Sequence, residues 1–188
     1  MLFRSVVATK KLPEGVKLHQ QIYHELLNIM EERSYFLKLS KCQFKQPKMD
    51  MLGWLVEDGN VRIDPAKVTG NAEWPRELMS VKEVWSTLGV LGYQRPFIQG
   101  FAHIAKPLTK LTKKKVPFKW TQESGDALDK LIKIVTSEPV LACPDLEKPF
   151  ELEVDASAYA VGAILFQRDE NKRRRDVGYF SKALNPAE

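Results

Sequence analysis

Residues 150–155 read FELEVD, and this alternation of apolar and acidic side chains at period two is typical of a β-strand. Residues 160–167, AVGAILFQ, follow as a small and apolar run, and residues 176–181 supply a third strand candidate. Three short strands in succession predict a β-meander. Residues 185–188, NPAE, combine an asparagine cap, a proline and a glutamate, which is the signal of a helix start. We therefore expect the C-terminal domain to be incomplete.

The stretch before this meander has helical spacing. Residues 65–137 form a predicted helical module, in which SVKE at 80–83 is a capping box that opens one helix. Pro96 suits the first position of a second helix, whose apolar residues continue to Ala105. Thr121 is the candidate cap of a third helix. Helices followed by strands indicate an α+β protein.

The N-terminal third combines one helix with short strands. Apolar residues recur at helical spacing over residues 13–33. Residues 36–39 and 51–56 predict strands. The Asp-Gly pair within residues 57–60 predicts a hairpin turn, from which residues 61–63 return.

Composition and charge exclude several classes of protein. The 188 residues are 28% charged and 44% hydrophobic with a net charge of +5, which rules out disorder over the whole length and a coiled coil. No uncharged apolar run approaches the roughly 18 residues of a membrane span, and no signal-peptide core follows Met1. Cys42 and Cys143 form neither a disulfide framework nor a metal knuckle. We expect an intracellular protein of the cytoplasm or nucleus that has no membrane partner.

A basic stretch, residues 106–119, is the clearest candidate for binding, and we name it the lysine segment. It holds six lysines and no acid in fourteen residues. Lysines on phosphates give salt-sensitive affinity without sequence preference, and a nearby aromatic ring can stack on bases or sugars. The alternative is a solvated surface loop. The candidate nucleic-acid-binding residues are Lys106, Lys110, Lys113, Lys114, Lys115, Lys119 and Trp120.

A second basic cluster, Lys172–Arg175, lies between two strand candidates. Asp169, Glu170 and Asp176 flank it, so its net field is weaker. This arrangement favours a solvated hairpin tip over a binding site.

Asp155 is the one candidate catalytic and metal-binding residue. It ends the alternating strand and is followed by small residues, so its carboxylate is placed to hold a divalent cation against a phosphodiester. A two-metal site needs several converging carboxylates. A strand-end or capping aspartate is therefore the alternative. The sequence has no glycine-rich phosphate loop, so no small-molecule substrate is indicated.

Five blocks of sequence, taken in order, carry a family resemblance. They are LKLSKCQF at 37–44, IDPAKV at 63–68, YQRPFI at 93–98, FAHIAKPL at 101–108 and DASAYAVGAILFQ at 155–167. Together they resemble the reverse transcriptase and ribonuclease H region of gypsy-class long-terminal-repeat retrotransposon polyproteins. The match runs in unbroken order over most of the chain.

The resemblance implies a fold in three parts. Residues 1–64 correspond to the end of a polymerase palm with a β-hairpin, residues 65–117 to a helical thumb and connection, and residues 118–188 to a truncated ribonuclease H-like domain with a mixed β-sheet. It also implies that the lysine segment grips an RNA–DNA hybrid or a template–primer duplex. Asp155 matches the first catalytic aspartate of the ribonuclease H domain, where the cofactor is Mg²⁺.

The resemblance implies that much of the catalytic machinery is absent. The family comprises RNA-directed DNA polymerases and ribonucleases H, but the polymerase motif Tyr-x-Asp-Asp falls on Met1–Arg4, which holds neither aspartate. The remaining ribonuclease H carboxylates would lie beyond Glu188. We expect this chain alone to be inactive, to retain some affinity for duplex and not to bind Mg²⁺ productively. The alternatives are a clipped part of an active polyprotein and a domesticated interaction protein.

Overall fold

The computed structural model describes residues 13–38, 42, 46–69, 74–114 and 116–185. Contacts divide the chain into two compact units, Met1–Pro47 and Lys48–Glu188. The second unit contains the lysine segment, Asp155 and all the strands that the structure describes.

The first unit contains helix α1, Pro13–Glu32, as the apolar spacing predicts. The strand predicted at 36–39 is wrong for residues 36–38, which have no regular structure, and Leu39 lies outside the described residues. Phe36 is 92% exposed, and none of the described strands pairs with this segment. A strand needs a partner for its backbone N–H and C=O groups, which alternation of side chains cannot supply.

The second unit begins with a four-stranded antiparallel sheet in the order β1-β2-β3-β4. Its strands are β1 (Lys48–Met51), β2 (Trp54–Glu57), β3 (Asn60–Ile63) and β4 (Val140–Ala142). The single strand predicted at 51–56 is wrong, because the chain reverses at Leu52 and Gly53, whose φ angles are 56° and 87°. The predicted turn at Asp58 and Gly59 is confirmed, with φ angles of 49° and 72°. Two central residues with positive φ match the right-handed twist of a hairpin.

The helical module follows, and most of its helix starts agree with the sequence. The helices are α2 (Pro65–Thr69), α3 (Val81–Tyr93), α4 (Phe101–Ile104), α5 (Lys106–Leu111) and α6 (Gln122–Thr136). The capping box is formed, since Ser80 Oγ accepts from the Glu83 amide at 3.2 Å. Thr121 Oγ1 caps α6 by accepting from the Ser124 amide at 3.3 Å. No described helix has the length and apolar character needed to cross a bilayer.

The single helix predicted from Pro96 to Ala105 is wrong. A 3₁₀ turn at Arg95–Phe97 is followed by a break, and α4 begins only at Phe101. Gly100 has a φ of 68°, a left-handed conformation that glycine adopts without steric cost and that interrupts a right-handed helix.

The C-terminal sheet is the predicted meander, in the order β5-β6-β7. It consists of β5 (Glu151–Ala156), β6 (Ala160–Arg168) and β7 (Arg174–Ala183). The resemblance implies a mixed sheet, whereas both strand pairs described here are antiparallel. Buried Gln167 holds the preceding loop, because its amide accepts from Asp145 N at 2.8 Å and donates to the carbonyls of Asp145 and Lys148.

The two faces of this sheet differ in burial. On the inner face Phe166 and Ser181 are buried, and Tyr179 packs against the core of the unit. On the outer face Leu152 and Phe180 are 63% and 54% exposed. The inner face therefore fixes the position of the sheet on the helical module.

One core joins the segments that the sequence assigns to three domains. Ile63 of β3, Leu91 of α3, Leu128 of α6 and Leu141 of β4 belong to the same buried cluster, each at most 4% exposed. Because β4 completes the sheet that β1 to β3 begin, the chain returns to its N-terminal strands after the helices. The boundaries at 64 and 117 stay predictions.

A buried hydrogen bond ties the C-terminal sheet to the helices. Ser181 Oγ of β7 accepts from the Ala102 amide at 2.9 Å. That amide belongs to the first turn of α4, where backbone N–H groups have no partner within the helix. A side chain 79 residues further along the chain thus caps the helix.

We predict that Ser181→Ala lowers the free energy of unfolding by about 1–3 kcal/mol, because it leaves the buried Ala102 amide without an acceptor. Urea unfolding measures the change. Ser86→Ala, on the exposed side of α3, is the control and should change stability by less than about 0.5 kcal/mol. Equal unfolding midpoints for the two variants would contradict the role of this bond.

Candidate nucleic-acid interface

The lysine segment begins on α5 and continues into the loop before α6. Lys106 and Lys110 are one helical turn apart and therefore share a face of α5. Lys113 and Lys114 follow directly, and Lys115 lies outside the described residues. The described lysines of the segment are all exposed: Lys106, Lys110, Lys113, Lys114 and Lys119.

The charges of these lysines are not neutralised by acids. Where both partners are described, each ion pair involves an arginine, and none involves Lys106, Lys110, Lys113, Lys114 or Lys119. The charges of these five lysines are therefore available to an anion.

In the second basic cluster, Lys172–Arg175, acids do engage a basic side chain. Arg174 donates to Glu153 at 2.7 Å and to Asp176 at 2.6 Å. Arg175 donates to Asn60 Oδ1 at 2.9 Å. Lys172 lies in the turn between β6 and β7, where the sequence predicts a solvated hairpin tip. Carboxylates therefore engage Arg174, which lowers the charge that the cluster leaves for a partner.

Two tryptophans are exposed to different degrees, and Trp120 does not have the exposure expected of a ring that stacks on bases. Trp120 is half-buried and packs against the core next to α6, so much of its indole is not free to stack on a base. Trp85 of α3, which the sequence analysis did not single out, is 60% exposed. The sequence could have indicated this exposure. Val84 and Leu91 share the buried face of α3, and Trp85, which follows Val84 directly, lies off that face.

Asp155 lies at the end of β5, exposed and opposite Gly162 of β6. Alternate residues of a strand share a face, so Glu151 and Glu153 are its neighbouring acids. Glu151 accepts from Arg168 at 2.7 Å, and Glu153 accepts from Arg174. Both neighbouring carboxylates are therefore engaged by guanidinium groups, whereas none of the described residues pairs with Asp155.

These residues do not fit a Mg²⁺ site. In the described part of the chain, no group of three or more His, Cys, Asp or Glu side chains is placed to hold a metal ion. Magnesium requires near-octahedral oxygen coordination, and a two-metal site requires several carboxylates. Asp155 supplies one.

Tyr179, on the inner face of the C-terminal sheet, has the most perturbed phenol of the described residues. Burial, followed by the hydrogen bond that its hydroxyl donates to Asp176 Oδ2 at 2.7 Å, raises the pKa of Tyr179 to about 12. The same Asp176 accepts from Arg174, so one carboxylate joins the arginine cluster to the core.

Comparison with known proteins agrees with this architecture. Residues 120–188 match the family of the RNase H-like domain found in reverse transcriptase. The chain is 34% identical over 186 residues to the retrovirus-related Pol polyprotein from transposon opus of Drosophila melanogaster, covering 93% of the chain and 18% of that protein. It is 36% identical over 162 residues to the Gag-Pol polyprotein of woolly monkey sarcoma virus, covering 86% of the chain and 10% of that protein.

Residues 120–188 are therefore similar to the RNase H-like domain of reverse transcriptase, and the chain as a whole aligns with one region of Pol polyproteins. Relatives include both retrotransposon and retroviral polyproteins, and the chain spans less than a fifth of the length of those described above. The solved structure of the foamy viral protease-reverse transcriptase in complex with RNA/DNA hybrid has the same fold, with a TM-score of 0.68 and 22% identity over 91% of this chain and 23% of that one. A second foamy viral structure, in complex with double-stranded DNA, gives a TM-score of 0.68 at 24% identity over 92% of this chain and 30% of that one.

We predict that the stability of this Pol-like chain falls as pH rises from about 10, the pKa of an unfolded tyrosine, to about 12. The unfolded chain loses the Tyr179 proton first, so deprotonation favours unfolding within this window. The tyrosinate absorbance of wild type minus that of Tyr179→Phe isolates this phenol. A difference titration centred near 10 would contradict the prediction.

We predict that the purified chain does not cleave the RNA strand of an RNA–DNA hybrid in Mg²⁺ or Mn²⁺, because Asp155 lacks partner carboxylates. Asp155→Asn should change the free energy of unfolding by less than about 0.5 kcal/mol, as expected for an exposed side chain. Product analysis on a denaturing gel measures the first effect and urea unfolding the second. Cleavage that disappears in Asp155→Asn would show that another group completes the site.

Proposed function

We propose that this chain binds an RNA–DNA hybrid or template–primer duplex through the lysine segment, and that it derives from a gypsy-class long-terminal-repeat retrotransposon. We further propose that the chain alone catalyses neither DNA synthesis nor RNA cleavage. The observation that carries the binding proposal is a set of exposed lysines without acidic partners among the described residues.

The spacing of these lysines suits a phosphate backbone. Lys106 and Lys110 are four residues apart on α5, which corresponds to about 6 Å along the helix axis. Successive phosphates of one DNA strand rise by about 3.4 Å along the duplex axis. Because the strand also winds around that axis, neighbouring phosphates are further apart than this rise, so the two ammonium groups suit neighbouring phosphates. Lys113 and Lys114 extend the charge beyond the end of the helix. Contacts of this kind carry no base information, so we expect little sequence preference.

The comparisons support a nucleic-acid partner. The foamy viral proteins with the same fold were solved in complex with RNA/DNA hybrid and with double-stranded DNA. Retroelement Pol polyproteins at 34% and 36% identity make the same substrate class the first to test for this chain.

The proposal that the chain alone is inactive rests on the carboxylates that neighbour Asp155. Asp155 has no second free acid on its strand face, because Glu151 and Glu153 are bound by arginines. The alternative is that the chain is part of an active RNA-directed DNA polymerase and ribonuclease H polyprotein. That alternative is favoured by the small share, 18%, of the opus polyprotein that the chain covers. A genomic reading frame that encodes Tyr-x-Asp-Asp upstream and further carboxylates downstream would support it.

We predict that Lys110→Ala/Lys113→Ala/Lys114→Ala weakens binding to a labelled RNA–DNA hybrid, because each removed ammonium group leaves a phosphate without its cation. The slope of log affinity against log salt should fall by about one unit for each lysine that binds a phosphate in the wild type. Fluorescence anisotropy over a range of KCl concentrations measures both quantities.

The matched control removes three exposed lysines elsewhere, with Lys130→Ala/Lys133→Ala/Lys148→Ala. It changes net charge equally, so a smaller effect on the slope would assign the phosphate-binding role to the lysine segment. A flat salt response of the wild type, or equally weakened binding in both triple variants, would refute the proposed interface.

A further inference from the structure

Four side chains from two separate parts of the chain meet at the start of the lysine segment, and we name them the turn cluster. His103 lies on α4 and Lys106 is the first residue of α5, while Ser157 and Tyr159 lie in the turn between β5 and β6. The ring centroids of His103 and Tyr159 are 5.7 Å apart in an edge-to-face arrangement. Lys106 Nζ lies 4.2 Å from the centroid of the Tyr159 ring.

Ser157 fixes the orientation of His103. The hydroxyl oxygen of Ser157 accepts from the amides of Tyr159 and Ala160, at 3.3 Å and 3.1 Å, which occupies both of its lone pairs. Its one hydrogen has two possible acceptors, His103 Nε2 at 3.2 Å and the Ala160 carbonyl at 3.1 Å. That carbonyl already accepts from the Ser157 amide at 2.9 Å. A carbonyl oxygen has two lone pairs, so both acceptors are open to this hydrogen. We take the arrangement in which the hydroxyl donates to Nε2, which places the proton of the neutral ring on Nδ1.

The cluster thus presents donors without acceptors. His103 is exposed, and no described residue bonds its Nδ1–H. Lys106 is also exposed, and its contact with the face of Tyr159 leaves its three N–H donors without a carboxylate partner in the described structure. Stacking on a ring fixes the ammonium group in position without neutralising its charge.

We infer that the turn cluster binds one phosphodiester group of the nucleic-acid backbone. This inference rests on the proposed function and extends the interface from α5 onto the RNase H-like sheet. Two donors beside the same tyrosine ring, one of them cationic, suit an anionic oxygen. A base is a poorer fit, because Lys106 already occupies one face of the Tyr159 ring on which a base would stack. Lys110, one turn further along α5, then contacts a neighbouring phosphate of the same strand.

The test compares Lys106→Ala and His103→Ala with wild type in the hybrid-binding assay. Each should bind roughly two- to tenfold more weakly, the effect of removing one hydrogen bond. Lys106→Ala should also lower the salt slope by about one unit, whereas His103→Ala leaves every lysine in place and should leave the slope unchanged. Lys106→Arg keeps the charge and should restore the slope.

Controls separate binding from folding. Lys130→Ala and His24→Ala remove the same residue types from α6 and α1 and should bind as wild type does. Urea unfolding of each variant shows whether it is folded in the assay. Ser157→Ala releases the His103 ring and should weaken binding as much as His103→Ala does.

The outcomes distinguish this inference from the proposed function. If wild type does not bind the hybrid in a salt-dependent way, the proposed function fails. If wild type binds and the Lys110, Lys113 and Lys114 triple variant does not, while Lys106→Ala and His103→Ala match their controls, the turn cluster is a structural feature and the inference alone is overturned.

Discussion

The hydrogen bond from the Ala102 amide to Ser181 Oγ ties the C-terminal sheet to the helices at one register position. Ser181 is opposite Gly162, and Gly162 is opposite Asp155, so one row across the sheet is anchored at one end to α4. The residue after Ala102 is His103, which contacts the turn that follows Asp155. A buried amide without an acceptor is costly, so the sheet cannot shift by one register position without breaking this bond. The same constraint positions the turn cluster beside α5.

The basic side chains of this surface are of two kinds: arginines that are paired with carboxylates, and lysines that are available to bind an anion. Arg168 and Arg174 are engaged by Glu151, Glu153 and Asp176, and Asp176 also accepts from Tyr179. The lysine segment has no such partners in the described part of the chain. The planar guanidinium of arginine suits fixed, multiply bonded pairs, whereas lysine carries a compact charge on a flexible stem. The division explains why the two basic clusters, similar in sequence, differ in the function that we propose for them.

Local signals predicted the elements that depend on neighbouring residues. The capping box at Ser80, the cap at Thr121, the Asp58-Gly59 turn and the three-stranded meander are all confirmed, because each depends on residues within a few positions of one another. The predictions that were wrong needed information from elsewhere in the chain. Residues 36–38 have no partner strand in the described structure. Leu52 adopts a left-handed φ, which a leucine does not predict.

The sequence by itself determined the composition of the surface that we propose binds nucleic acid: a lysine-rich stretch without acids, followed further along the chain by a strand that ends near Asp155. Only the tertiary structure decided which of these groups are available. It turned Trp120 towards the core, paired Glu151 and Glu153 with arginines and brought Ser157 to His103, 54 residues away. The physical reason is that backbone spacing sets which residues share a strand or helix face. Burial and pairing depend instead on the opposing element, whose position follows from the packing of the whole core.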